Sequence, residues 1–236
     1  MHKVERAIIM AAGFGSRMKP ITLNIPKPLV KVNGVRMIDT VINGLHKNGI
    51  FEIYIVVGYL KEQFSFLLEQ YDDITLIDNP YYETCNNISS LYVVRKYIDN
   101  AIILDGDQII YNSDILSKKF NKSGYNSVWI EENTSEWVQT VENGIVTSCA
   151  RNGGEKGWQL YSISRWTHED AIKLRKYLEI EFIENNNTQI YWDDIAMFLH
   201  ADEFELGIYP MNKEDVIEID SLDELVSLDD KYKKYL

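Results

Sequence analysis

Apolar and polar positions along the first half of the chain switch repeatedly between a strand-like and a helix-like period. Residues 6–11 form a short apolar run ending at a glycine turn, Gly13 and Gly15. Glu52 to Gly58 is nearly all apolar, as expected of a strand covered on both faces. Ile74 to Ile77 and Ala101 to Leu104 repeat that pattern. Between these runs the apolar positions 37, 38, 41, 42 and 45 have helical spacing, and Gly49 is placed to end that helix. Lys61 to Tyr71 and Asn87 to Ile98 read as further helices. Residues before proline avoid the helical region, so Lys19-Pro20 and Pro26-Lys27-Pro28 predict an extended loop leading to a small strand, Leu29 to Val32. Strands alternating with helices predict an α/β fold with a mixed, mostly parallel sheet and helices on both faces.

Beyond residue 110 the pattern changes. Asn112 to Phe120 reads as a short helix, and Ser127 to Ile130, Trp137 to Val141 and Gly157 to Ile163 read as strands. Asn143-Gly144 is a hairpin turn signal. Thr167 with Asp170 predicts the N-cap of a helix running to about Ile183, and Gln189 to Ala201 reads as another helix. Phe204 to Pro210 and Val216 to Ile219 are strand-like, and Ser221 with Glu224 is a capping box for a C-terminal helix. There is no repeat, linker or break in composition. The expectation is one domain over 1–236, with a nucleotide-binding half to about residue 110 and an acceptor-binding half after it.

The chain has 45% hydrophobic residues, enough for a sizeable core, and a net charge of −12. Such an acidic surface argues against nucleic acid, which needs a basic face. An anionic substrate must then meet a local cationic or metal-filled pocket, whereas a cationic group is welcome. Cys85 and Cys149 form no close pair, there is no signal-like stretch, and no apolar run is long enough to span a bilayer. The protein reads as cytoplasmic, with no membrane insertion. Nothing in the chain indicates its oligomeric state.

Candidate chemistry gathers where strands end, because ligands of open α/β sheets sit at the carboxyl ends. Gly13, Gly58 and Asp107 each follow such an end. The glycine turn alone is weak evidence: a dinucleotide fingerprint would need glycine at Met18, and the P-loop pattern is absent. Arg17 and Lys27 add two cations suited to phosphate. Glu218 and Asp220 form an acid-x-acid pair whose members share a side of an extended segment and repel unless a cation lies between them. All five tryptophans lie after residue 128, among other aromatics. Aromatic faces suit a quaternary ammonium, although tryptophans also belong in cores. Glu131, Glu132 and Glu136 read as solvated, and His2, His46, His168 and His200 form no cluster.

The segment Ala11-Ala12-Gly13-Phe14-Gly15-Ser16-Arg17 followed by Pro26-Lys27-Pro28-Leu29 resembles the sugar-phosphate nucleotidyltransferase superfamily. Asn86-Asn87 with Ser90, Gly58-Tyr59, Glu136-Trp137, Tyr191-Trp192-Asp193 and Glu218-Ile219-Asp220 resemble the bacterial CTP:phosphocholine cytidylyltransferases over nearly the whole chain. The resemblance implies a Rossmann-like, nucleotide-diphospho-sugar transferase fold and transfer of a cytidylyl group from CTP to phosphocholine. It implies that Arg17 and Lys27 act on phosphates. Ala12, Gly13, Gly15, Gly58, Tyr59, Asn86, Asn87 and Ser90 would bind the nucleotide. Trp137, Tyr191 and Asp193 would bind the acceptor, and Asp107, Glu218 and Asp220 would hold Mg2+, with Asp105 behind them. Phosphoethanolamine, 2-aminoethylphosphonate or a sugar 1-phosphate is the alternative acceptor, and a non-catalytic nucleotide-binding module is the rival from another class.

Overall fold

The computed structural model describes residues 1–236. Its frame is a nine-stranded mixed sheet. In chain order the first strands are β1 (Arg6–Ala11), β2 (Ile53–Val57), β3 (Ile74–Asp78) and β4 (Ala101–Asp105). They lie in the order β4-β1-β2-β3, all parallel. A short strand β5 (Gln108–Ile110) follows outside this sheet. The second half adds β6 (Gly124–Ile130), β7 (Val138–Glu142), β8 (Ile145–Ala150), β9 (Gly157–Arg165) and β10 (Gly207–Pro210). Strand β9 joins the halves by running antiparallel to β4, with Ile163 opposite Leu104. A last strand, β11 (Val216–Glu218), pairs with β5 and sets Glu218 opposite Gln108.

The period of two along β1 explains how both sheet faces are filled. Ala7, Ile9 and Ala11 pack with Ile38, Val41, Ile42 and Leu45 of helix α1 (Met37–Lys47). Ile8, Met10 and Ala12 pack on the other face with Ile88 and Leu91 of α2 (Ile88–Val94) and Leu174 and Leu178 of α3 (His168–Glu179). A smaller third cluster joins Met18, Val30, Met37 and Ile109 to Ile219 and to Leu225 of α4 (Leu222–Leu228). It ties the loop after β1 to the strand that carries Glu218.

The sequence expectations hold for the main strands, for α1 and for both predicted caps. Thr167 accepts from the Asp170 N–H, and Ser221 and Glu224 close a reciprocal capping box. Three segments differ. The loop over residues 16–29 is not extended: it coils into short 3-10 turns at Ser16–Met18, Ile21–Leu23 and Lys27–Leu29. Buried Thr22 anchors that coil by donating to the Gly15 carbonyl at 2.8 Å. The segment 112–120 is a single 3-10 turn, Ser113–Leu116, followed by a two-residue strand. Gln189 to Ala201 is helical only at its end, where Ile195–Leu199 takes the wide π form. Asp194 explains the delay, because its carboxylate accepts the Tyr191 N–H and closes a turn instead. No helix is long and apolar enough to cross a membrane.

Candidate active site

The carboxyl ends of β1 and β4 open into a cleft of about 440 Å³. Gly13, Gly15, Arg17, Lys27, Asn87, Asp107, Trp137, Tyr191, Asp193, Glu218 and Asp220 all line it. Eleven of the residues singled out from sequence therefore meet in one space. Ala12, Gly58, Tyr59, Asn86 and Ser90 do not line it.

The contacts of these residues lie around the cleft rather than in it. The Ala12 carbonyl accepts the Tyr59 N–H at 3.1 Å, and the Tyr59 hydroxyl donates to the Thr22 carbonyl at 2.9 Å. Tyr59 thus props the coiled loop from behind. Asn86 donates to the Gln189 carbonyl and accepts the Asn87 N–H. Ser90 is buried and accepts a hydrogen bond from Asn79. Of the three polar candidates Asn86, Asn87 and Ser90, Asn87 alone reaches the cleft wall.

Two glycines are demanded by geometry. Gly15 sits at φ +62°, and a Cβ there would lie 3.0 Å from side-chain carbons of Lys27 and Thr22. At Gly58 a Cβ would fall 2.7 Å from Tyr82, whose ring packs on Phe14 of the glycine turn at 5.4 Å. Gly58→Ala should therefore push Tyr82 away and loosen the turn. The expected outcome is a loss of about 1–3 kcal/mol of stability from overpacking and slower turnover from a disordered glycine turn. Thermal melts and initial rates check both.

Lys27 is the electrostatic hub. Its ammonium lies 2.6 Å from Asp107 and 2.7 Å from Asp220. Arg17 reaches the same Asp220 oxygen at 2.9 Å while its side chain stays largely exposed. Burial opposes the charge on Lys27, but the two carboxylates outweigh it and push its pKa up. For Asp220 burial favours the neutral acid, and Lys27 and Arg17 reverse that and hold the carboxyl below its usual range. Glu218 lacks such a cation. Burial, together with the charges of Asp107 and Asp220, pushes it up to about 7, although Gln108 donates to it at 2.6 Å. Asp105 is raised well above the ordinary range by burial and by Asp107, Glu218 and Asp193.

No three of the acids stand as a ready-made metal cage. Their hard oxygens nevertheless fit an ion such as Mg2+, which takes one or two carboxylates and completes its shell with phosphates and water. Asp107 and Asp220 are held together by the lysine, and the Gln108 hydrogen bond orients Glu218.

In the same cleft Trp137 and Tyr191 meet edge to face, with ring centroids 5.9 Å apart. The other aromatic candidates lie elsewhere. Trp166 and Trp192 are core residues, and Trp129 packs against Trp158 on the surface. Tyr161 lines an adjoining hollow that shares Glu136, Glu218 and Asp220 with the cleft. Burial pushes Asp193 up to about 7, the nearby Tyr125 hydroxyl pulls it down, and the Asp194 charge raises it. Sequence reasoning missed Ser162, Leu160 and Glu136 as wall residues, and Arg151, which pairs with Asp194 at 2.7 Å and lies over Phe198. An isolated arginine 43 positions from its partner carries no local signal.

A glycine turn, a buried lysine between two acids, and an aromatic pair in the same cleft define a nucleotidyltransferase built on the nucleotide-diphospho-sugar transferase fold. The chain belongs to the nucleotidyl transferase family, whose model matches residues 6–132. Enzymes of this family generally use divalent metal ions. It is 36% identical to the 2-aminoethylphosphonate cytidylyltransferase of Lancefieldella rimae, over 96% of this chain and 92% of that one. It is 31% identical to the choline-phosphate cytidylyltransferase of Streptococcus pneumoniae, over 97% and 98%. The solved structure of the S. pneumoniae CTP:phosphocholine cytidylyltransferase superimposes with a TM-score of 0.89 at 31% identity, covering 96% of this chain and 98% of that chain. An inositol-1-phosphate CTP transferase of T. maritima shares the fold, with a TM-score of 0.75 at 15% identity.

Proposed function

We propose that the protein transfers the cytidylyl group of CTP to phosphocholine, giving CDP-choline and pyrophosphate in the cytoplasm. The observation that carries this reading is the shared cleft, which brings Arg17, Lys27 and the acids together with Trp137, Tyr191 and Asp193. A triphosphate over the Gly13–Gly15 turn brings its phosphates to Arg17 and Lys27. The acceptor phosphate is already ionised, so no general base is needed. One of its oxygens attacks the α-phosphorus in line, and pyrophosphate departs from the opposite side. Two anions must be forced together, so catalysis consists of positioning and charge neutralisation. Arg17 stabilises the departing pyrophosphate, and Lys27 holds the α-phosphate or the acceptor phosphate. Asp107, Glu218 and Asp220 would hold Mg2+, which would supply positive charge to neutralise the reacting phosphates.

The cationic end of the acceptor lies against Trp137 and Tyr191, with Asp193 supplying negative charge. A quaternary ammonium donates no hydrogen bonds and is held by aromatic faces and carboxylates. A second reading, transfer to 2-aminoethylphosphonate, is favoured by the 36% identity to the L. rimae enzyme. Asp105, Glu136 and Asp193 in the cleft also suit the three N–H donors of a primary ammonium.

Pyrophosphate release over a matrix of nucleotides and acceptors separates these readings. With CTP and magnesium, phosphocholine should give the highest kcat/KM. A higher value for 2-aminoethylphosphonate installs the second reading, and turnover of sugar 1-phosphates alone overturns both. Nucleotide binding without pyrophosphate release would mark a non-catalytic module. Trp137→Ala should raise the KM for phosphocholine about tenfold or more, from loss of a desolvated cation–π contact, with a smaller change in kcat.

A further inference from the structure

Asp193 lines the cleft and Tyr125 lies buried beside it, and each carries a polar atom without a well-formed hydrogen bond. Asp193 Oδ1 and the Tyr125 hydroxyl are both sealed from solvent, and neither has a partner at good hydrogen-bond geometry, although each lies near enough to act on the other. Tyr125 stands on β6, fully buried, with its ring edge-on to Trp166 and near-parallel to Trp192 at 6.2 Å. That packing holds the hydroxyl beside Asp193, close enough for each group to influence the other's ionisation.

The neighbouring carboxylate shows what Asp193 lacks. Asp194 accepts the Tyr191 N–H at 2.9 Å and pairs with Arg151 at 2.7 Å. Arg151 is thus committed to Asp194 and lies over Phe198 at 3.9 Å. The ionisable groups that act on Asp193 or feel its charge are Tyr125, Asp194, Asp105 and Cys149. None of the four is a cation. A buried carboxylate without a positive partner holds its proton until one arrives.

We propose that Asp193 and Tyr125 form a proton-linked anchor for the cationic end of the acceptor. While no acceptor ammonium is bound, Asp193 keeps its proton up to near-neutral pH. When the ammonium docks, the carboxyl proton passes to solvent and the resulting carboxylate faces the cation. Tyr125, a positioning residue acting through Asp193, then donates its O–H to that carboxylate and fixes its orientation. One O–H bond breaks at Asp193 and one proton leaves per acceptor bound, with no other change of bonding. The inference rests on the reading of the acceptor as a cation-bearing phosphate or phosphonate.

Calorimetry tests it. Phosphocholine, or 2-aminoethylphosphonate if that binds instead, is titrated into enzyme holding magnesium and α,β-methylene-CTP. Two buffers of different ionisation enthalpy give the protons released. At pH 6 the unmodified enzyme should release up to about one proton more per acceptor than Asp193→Asn, and the excess should vanish by pH 8. The subtraction cancels protons lost by the acceptor's own phosphate. Tyr125→Phe should raise the acceptor KM more than it lowers kcat and move the KM profile to higher pH. Equal proton release from the enzyme and Asp193→Asn overturns the anchor. So does a Tyr125→Phe profile identical to that of the unmodified enzyme. Carboxyl carbon NMR of the acceptor-free protein needs no assumption about the acceptor. There Asp193 should titrate near neutrality, and a midpoint below pH 5 overturns the anchor even where the cytidylyl-transfer reading itself fails.

Discussion

Lys27→Ala should lower kcat/KM for pyrophosphate release by roughly 10³-fold, in the range seen when a charge-stabilising donor to a transferring phosphoryl group is lost. The same substitution should destabilise the magnesium-free protein. Lys27 is 7% exposed and lies between Asp107 and Asp220, so alanine leaves two carboxylates facing each other without the cation between them. The carboxylates left behind are partly exposed, so the loss should be about 1–3 kcal/mol, below the cost of breaking a wholly buried pair. Arg17 still reaches Asp220, but through an exposed side chain that solvent screens. The sign with pH follows. Lys27 and Arg17 hold the folded-state pKa of Asp220 below its usual value, so this carboxylate adds stability above the unfolded pKa and loses it on acidification. Without Lys27 that contribution shrinks, and the deficit should be largest at neutral pH. Magnesium should restore the melting temperature, because it replaces the missing charge, but not turnover. Parallel melts with and without magnesium, beside initial rates, separate the two effects. Near-normal turnover would remove Lys27 from the proposed mechanism.

How much of this was legible in the sequence depended on range. The glycine turn, Arg17 and Lys27 lie within fifteen residues, and their types and spacing advertise a phosphate site before any fold is known. Strand β1 and helix α1 were readable because burial on both sheet faces and on one helix face imposes regular periods. The coil over 16–29 was not, because Thr22 bonding to the Gly15 carbonyl decides it, and a single side-chain contact has no period. The segment 189–201 has helical spacing, yet Asp194 turns back on Tyr191 and delays the helix. Tyr59 and Asn86 sit at the right strand and helix ends, but their side chains bond the Thr22 and Gln189 carbonyls rather than lining the cleft, a distinction of side-chain direction. The Tyr125–Asp193 pairing joins residues 68 positions apart across a strand and a turn, so only the folded chain reveals it.

Asp107→Asn should cost a comparable factor in turnover, roughly 10³-fold, with the opposite signature in stability. Asp107 is one of Lys27's two acceptors, but Asp220 remains to hold the ammonium at 2.7 Å. Asp107 also carries a penalty that Lys27 does not. Its charge is among the causes that raise Asp105 and Glu218 above their ordinary range, so the neutral amide relieves repulsion on both. A carboxyl whose folded-state pKa is raised costs stability at pH values above its unfolded pKa, and the cost is complete above its folded pKa. For Glu218, raised to about 7, the penalty grows between pH 4 and pH 7. Asp107→Asn reduces that penalty while giving up one of two ion pairs, so the metal-free melting temperature at pH 8 should change little, within about 1 kcal/mol. Magnesium affinity, read by calorimetry or by competition with manganese, should fall at least about tenfold. Two substitutions 2.6 Å apart would then abolish the same reaction while one unsettles the resting site and the other leaves it intact. A large loss of metal-free stability in Asp107→Asn would instead mean that the aspartate serves the fold before it serves the phosphates.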